Sequence, residues 1–344
     1  MKRILQLAAI VFLTVFFLYL FLRNSDLAEV WRLIRSTNPY WFATGLLINF
    51  AALIFRTWRW RLILDERDPP PFYPTFFANT VGYMLSTVLP VRAADVARPA
   101  LLARRTEIRF SGALGTVLTE RILDLYSLLL LFIYFTIAHW DAFSLDPRTA
   151  RSFFIIKSGA VAAAVILAVL SVFIAGLFFF RGGVRRAHEF LGRILPRRFR
   201  GSWMHFFDAF TETLRLARQP RALGLVMGCT AGIWFCLTSQ FWFVTLALHR
   251  PLPFDSSFFV TGVTTVGLAI PTPGGIGGFH KACQIVLTTF YRFDIDSSVA
   301  VALLFHVVGT APVVISGLAL FVHEGLRWRD VASAAEEKPP ADGL

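Results

Sequence analysis

Three groups of residues in this 344-residue chain have types and spacings that could do chemistry. Arg92, Asp95 and Arg98 lie close together after Pro90. An arginine offers a planar donor fork that matches a phosphate, so Arg92 and Arg98 are candidates for an anionic headgroup. The competing reading of both is a cytoplasmic anchor placed by the positive-inside rule. Glu120, Arg121 and Asp124 form the second group, inside an apolar run from Ser111 to Trp140. Glu120 and Asp124 are four apart and share a helix face, and Arg121 stands three before Asp124, close enough to pair. Ionisable groups at membrane depth are costly unless paired or hydrated. They therefore line a substrate path, or they form a buried ion-pair network against Arg92 or Arg98. The third group lies within 268–281 and packs two prolines and four glycines into Pro271 to Gly278. No regular helix runs through such a stretch. Pro273, Gly274, Gly275 and Gly277 leave backbone N–H groups open to a ligand, and His280 and Lys281 follow where a helix restarts. No Gly-Lys-Ser/Thr ends the glycine run, so it is not a nucleotide loop. His306 is either a titrating group or a packing residue of the last span.

These residues must be positioned by a membrane scaffold. The chain is 56% hydrophobic and 16% charged, with mean hydropathy +0.61, which indicates a polytopic membrane protein. Its net charge of +12 sits beside apolar spans. That pattern marks cytoplasmic loops and a surface for anionic lipids, and no nucleic-acid partner is expected. Cys229, Cys236 and Cys283 all fall in apolar segments with no Cys-x-x-Cys spacing, which suits small core residues.

Taken in order, 4–22 reads as a span preceded by Lys2 and Arg3, and 27–37 as a polar surface segment. A second span, 40–64, closes on Arg56, Trp58, Arg59, Trp60 and Arg61, which suit a cytoplasmic membrane edge. The stretch 72–110 breaks near Leu89 to Ala93 and is followed by arginines, so it reads as a re-entrant helix pair. Spans 111–140 and 153–180 follow, then a basic loop, 181–221, with ten arginines, which could lie on the membrane surface. Span 222–248, a second re-entrant pair at 256–293 and span 299–322 complete the series. Each half reads span, span, re-entrant pair, span. Three full spans per half turn the second half upside down. The expected fold is an all-α polytopic membrane protein of about six full spans plus two re-entrant helix pairs in an inverted-topology repeat. Its halves would be 1–151 and 152–324, with a cytoplasmic tail at 325–344. In such folds broken helices mark the binding site.

The stretches Pro90 to Arg98, Thr119 to Asp124 and Pro271 to His280 resemble the lysylphosphatidylglycerol synthase transmembrane region, the flippase-like domain family. The likeness covers nearly the whole chain and keeps the motif order. It departs at Ala94-Asp95, where the family often shows Gly-Glu. The resemblance implies a module that moves a phospholipid or lipid-linked anionic molecule between leaflets. Because the chain stops soon after its last span, it looks like that module alone, without the aminoacyl transferase.

The expected substrate-binding set is Arg92, Asp95, Arg98, Glu120, Arg121, Asp124, Pro273, Gly274, Gly275, Gly277, His280 and Lys281. Neither a nucleophile–base pair nor a metal cluster is evident, so no enzyme activity, metal or cofactor is expected. The expected location is a bacterial-type inner membrane with both termini cytoplasmic. Partners are membrane lipids, with a homo-oligomer left open. The alternative is a non-transporting membrane partner subunit of a lipid- or glycan-modifying complex.

Overall fold

The computed structural model describes residues 2–65, 67–88, 94–139, 150–179, 219–268, 270 and 272–325. The first break around Arg92, most of the basic loop 181–221 and the tail lie outside the described residues.

Among the described residues all regular structure is helical. In order these are α1 (Lys2–Leu22), α2 (Leu27–Arg35), α3 (Pro39–Leu64), α4 (Phe72–Val88), α5 (Ala94–Ala103), α6 (Phe110–Ala138) and α7 (Ala150–Phe179). They continue with α8 (Pro220–Ala247), α9 (Phe254–Gly267), a 3-10 turn at Pro273–Gly275, α10 (Gly278–Phe290) and α11 (Ile295–His323). Five helices, α3, α6, α7, α8 and α11, are long and apolar enough to cross a membrane. Val11–Leu22 together with α2 makes a sixth candidate, bent by 82°. The bend has a local cause. Asp26 accepts hydrogen bonds from the Ala28 and Glu29 N–H groups, which starts α2 on a new axis. Its polar face carries the Glu29–Arg32 ion pair.

Proline and asparagine set the long helices. Asn38 caps α3 through the Tyr40 and Trp41 amides with Pro39 in its first turn, and Pro220 opens α8. Pro312 lies inside α11 and cannot donate to the carbonyl one turn back, at Val308. Asn49 of α3 supplies what is missing, donating Nδ2 to the Val308 and Gly309 carbonyls at 3.0 Å each. A backbone group that lipid could not satisfy is thus satisfied by a neighbouring helix.

The largest helix–helix face joins α3 and α8. They run antiparallel: the Asn38 amide donates to the Ala247 carbonyl at 2.8 Å at one end, and Ile63 clusters with Ala222 and Val226 at the other. Several of the remaining contacts come in matched kinds. α4 packs on α5 as α9 packs on α10, α5 on α6 as α10 on α11, and α3 on α4 as α8 on α9. Between halves, α4 packs on α11 and α9 on α6. Two larger apolar cores result among the described residues. One surrounds α9 and α10 and includes Phe21, Phe135, Phe241, Phe259 and Phe305. The other surrounds α4 and α5 and includes Trp60, Phe77, Met84, Leu102 and Phe321.

Candidate functional site

The charged residues of α5 and α6 meet an arginine that the sequence marks only as one of a basic run closing a span. Arg59 is fully buried within the helix bundle, as is its neighbour Trp60. Arg56, Arg59 and Trp60 recur at helical spacing and so share a face of α3. Sequence could show that spacing, but not which arginine of the run turns inward. The Arg59 Nη1 lies 2.6 Å from Asp124, and its Nη2 lies 3.5 Å from Glu120. Thr230 of α8 accepts from the same guanidinium at 3.4 Å.

Arg98 approaches Glu120 from the other side. Its Nη2 is 2.8 Å from Glu120 Oε2, with both side chains shut off from solvent. The contact is poorly aligned for a hydrogen bond, so it acts as a charge pair. The guanidinium also covers the Trp60 ring at 4.3 Å and the Tyr83 ring at 4.9 Å. Trp60 is fixed in turn by donating Nε1 to Thr116 at 2.9 Å. The path of Arg98 between α4 and α5 exists because position 82 is glycine. A Cβ there would stand 2.2 Å from Arg98 Cγ.

At the more open edge, Arg121 lies 2.6 Å from Asp95 and 3.7 Å from Asp124, with 40% of its side chain exposed. The pairing with Asp124 expected from spacing is thus secondary to one between helices. Arg56 completes the group, donating to the Tyr83 hydroxyl at 3.0 Å. Among the described residues, Arg56, Arg59, Arg98 and Arg121 face Asp95, Glu120 and Asp124, so four cations stand against three carboxylates and one positive charge is in excess. Arg92 lies outside the described residues.

The proline–glycine stretch comes to the same region by a different route. Gly274, Gly275 and Gly277 have φ of 58°, 73° and 91°, which only glycine adopts readily. A Cβ on Gly274 would lie 3.1 Å from the Thr87 carbonyl, and the Pro273–Gly275 turn packs on α4. Thr87 stands two residues before Leu89, where the first break begins. The second break therefore seats on the helix end that leads into the first.

His280 and Lys281 belong to a separate, largely aromatic environment. The His280 ring is 4.6 Å from that of His306 and 5.2 Å from that of Phe21. Its Nδ1 accepts from the Gly277 amide at 3.3 Å. Lys281 donates to Gln284 at 2.6 Å, and Gln284 donates to the Phe21 carbonyl at 3.0 Å. Among the described residues, no hydrogen bond or ion pair joins His280 or Lys281 to the charged cluster. The three cysteines are buried and unbridged, as expected of core residues.

Comparison with known proteins agrees with this architecture. The chain is 25% identical over 240 residues to a UPF0104 membrane protein of Methanocaldococcus jannaschii, covering 69% of this chain and 92% of that protein. The family described as the lysylphosphatidylglycerol synthase TM region matches residues 4–317. The chain belongs to that family, as a multi-pass membrane protein built on the lysylphosphatidylglycerol synthase transmembrane region.

Proposed function

We propose that this protein moves a phospholipid or lipid-linked anionic molecule between the leaflets of a bacterial-type inner membrane, with both termini cytoplasmic and without enzymatic chemistry. One observation carries the reading. A charged cluster with one surplus positive charge lies on α3, α5 and α6, and α5 is the helix that follows the first break, while the second break packs against the end of α4 that leads into it. An anion supplied by a lipid headgroup would balance the cluster. Arg121 and Arg56 at its open edge would meet the anion, while Arg59 and Arg98 hold the carboxylates in place.

An inverted repeat belongs to the same proposal. The matched packing of α3–α6 and α8–α11, and the antiparallel run of α3 against α8, are what two copies related by an axis in the membrane plane would produce. Tyr73 at the start of α4 and Arg105 just past α5 bond the same carboxylate, that of Glu324, as a re-entrant pair returning to its own face would.

Native mass spectrometry of the purified protein, compared with an Arg92→Ala/Arg121→Ala variant, tests this reading by the lipids each retains. Selective retention of an anionic lipid by the parent, lost in the variant, is the expected result and names the lipid to follow in vesicles. Identical, non-selective retention in both would overturn the headgroup site and favour a partner-subunit role.

A further inference from the structure

Contacts in the same register stand near the two ends of α11. At its C-terminal end, Glu324 is the first residue past the helix. Its carboxylate accepts the Tyr73 hydroxyl and, at 2.8 Å, an Arg105 guanidinium N–H. Tyr73 is the second residue of α4, and Arg105 lies two past the end of α5. One carboxylate thus ties both helices of the first broken pair to α11. Arg105 is held in place by the Phe77 ring, 3.7 Å away.

The mirror of this arrangement stands at the other end. His139 is the first residue past α6, and its Nε2 is 3.1 Å from the Asp255 carboxylate. Asp255 is the second residue of α9. Tyr291, the first residue past α10, lies against Asp255 and Ser256. The register is the same in both halves: the second residue of the pair's first helix meets the residue just past the other half's closing helix. α10 leads directly into the start of α11, so the His139 contact sits at that start and the Glu324 contact at its end. A helix of 29 residues spans about 43 Å, so the two contacts lie at opposite ends of the bundle.

We propose that these contacts are a pair of gate latches, Glu324 with Tyr73 and Arg105 at one end and His139 with Asp255 at the other. Each pins one half's broken pair to the closing helix of the other half. Release of one frees that end of its own pair while the other end stays shut. The proposal rests on the translocator reading for its purpose, but its geometry stands independently. Such partly exposed pairs contribute little to global stability. Breaking one therefore loosens its own hairpin without unfolding the chain.

Hydrogen exchange measured by mass spectrometry on the full chain in detergent tests this with Glu324→Gln and Asp255→Asn. Glu324→Gln is expected to speed exchange several-fold across the ends of α4 and α5 and leave α9 and α10 as in the parent. Asp255→Asn is expected to do the reverse. Unchanged exchange, or equal acceleration of both pairs in either variant, overturns the latches. Fluorescent-lipid movement in vesicles is measured on the same parent preparation. Localised exchange with no lipid movement by the parent retains the latches and removes the translocator reading. Lipid movement with delocalised exchange removes the latches alone.

Discussion

Arg98 of α5 and Glu120 of α6 face each other at 2.8 Å, neither reached by solvent. Removing one member leaves the other as a buried charge short of its partner, which costs about 3–5 kcal/mol. Arg98→Met should therefore lower the melting temperature of the detergent-solubilised protein steeply. Arg98→Met with Glu120→Leu leaves Arg59 paired with Asp124 and should recover much of that loss. A double variant less stable than either single would show that the pair is not the unit that matters.

Gly82→Ala tests the path of Arg98. In an exposed helix this change usually stabilises, by about 1 kcal/mol. Here the added methyl would meet the Arg98 stem at 2.2 Å, so the expected sign is reversed. Arg98 would also leave its place over Trp60, which a change in tryptophan fluorescence would report.

Asn49→Leu removes the donor that serves the Val308 carbonyl freed by Pro312, and the Gly309 carbonyl beside it. A destabilisation of about 1–3 kcal/mol is expected in thermal melting. Restoring the helical N–H by adding Pro312→Ala should recover part of it. Without such recovery, Asn49 acts through packing alone.

Arg59 and Arg121 should separate stability from ligand binding. Arg59→Met strips Asp124 of its nearest cation in a buried setting and should cost about 3–5 kcal/mol. Arg121→Ala loses a partly exposed pair and should cost at most about 1 kcal/mol, while weakening retention of an anionic lipid. Equal loss of stability in both would remove the distinction.

The Glu324 contact has a defined pH behaviour. Hydrogen bonds from Arg105 and then Tyr73 hold its carboxyl down at about 2, against an ordinary 4.5. A depressed folded-state value means the stabilisation is fully present above about 4.5 and is lost as pH falls toward about 2. The melting difference between the parent and Glu324→Gln should be small, constant from pH 5 to 8, and should shrink below that range. A difference that changes between pH 5 and 8 would assign the effect to another group.

Much of this protein was legible in one dimension. Hydrophobic runs long enough for a bilayer, closed by arginine and aromatic residues, indicated the long helices, because lipid admits few other ways to satisfy a backbone. The prolines and glycines between Pro271 and Gly278 showed where helix could not continue, and the carboxylates at 120 and 124 stood out because charge at that depth needs a reason. What the sequence by itself could not determine was partnership. Arg59 read as an edge residue, since the Arg56 to Arg61 run suits a membrane boundary whichever way the helix is rotated. Only packing of α3 against α6 and α8 decided that Arg59 turns inward to Glu120 and Asp124. Arg121 chose Asp95 over its nearer sequence neighbour for the same reason: helix α5 brings a carboxylate within 2.6 Å that no spacing along α6 could reveal. Composition and periodicity act along the chain and specify which segments cross. The pairing of charges, and the seating of Gly274 on Thr87, depend on distances between segments that only the tertiary structure sets.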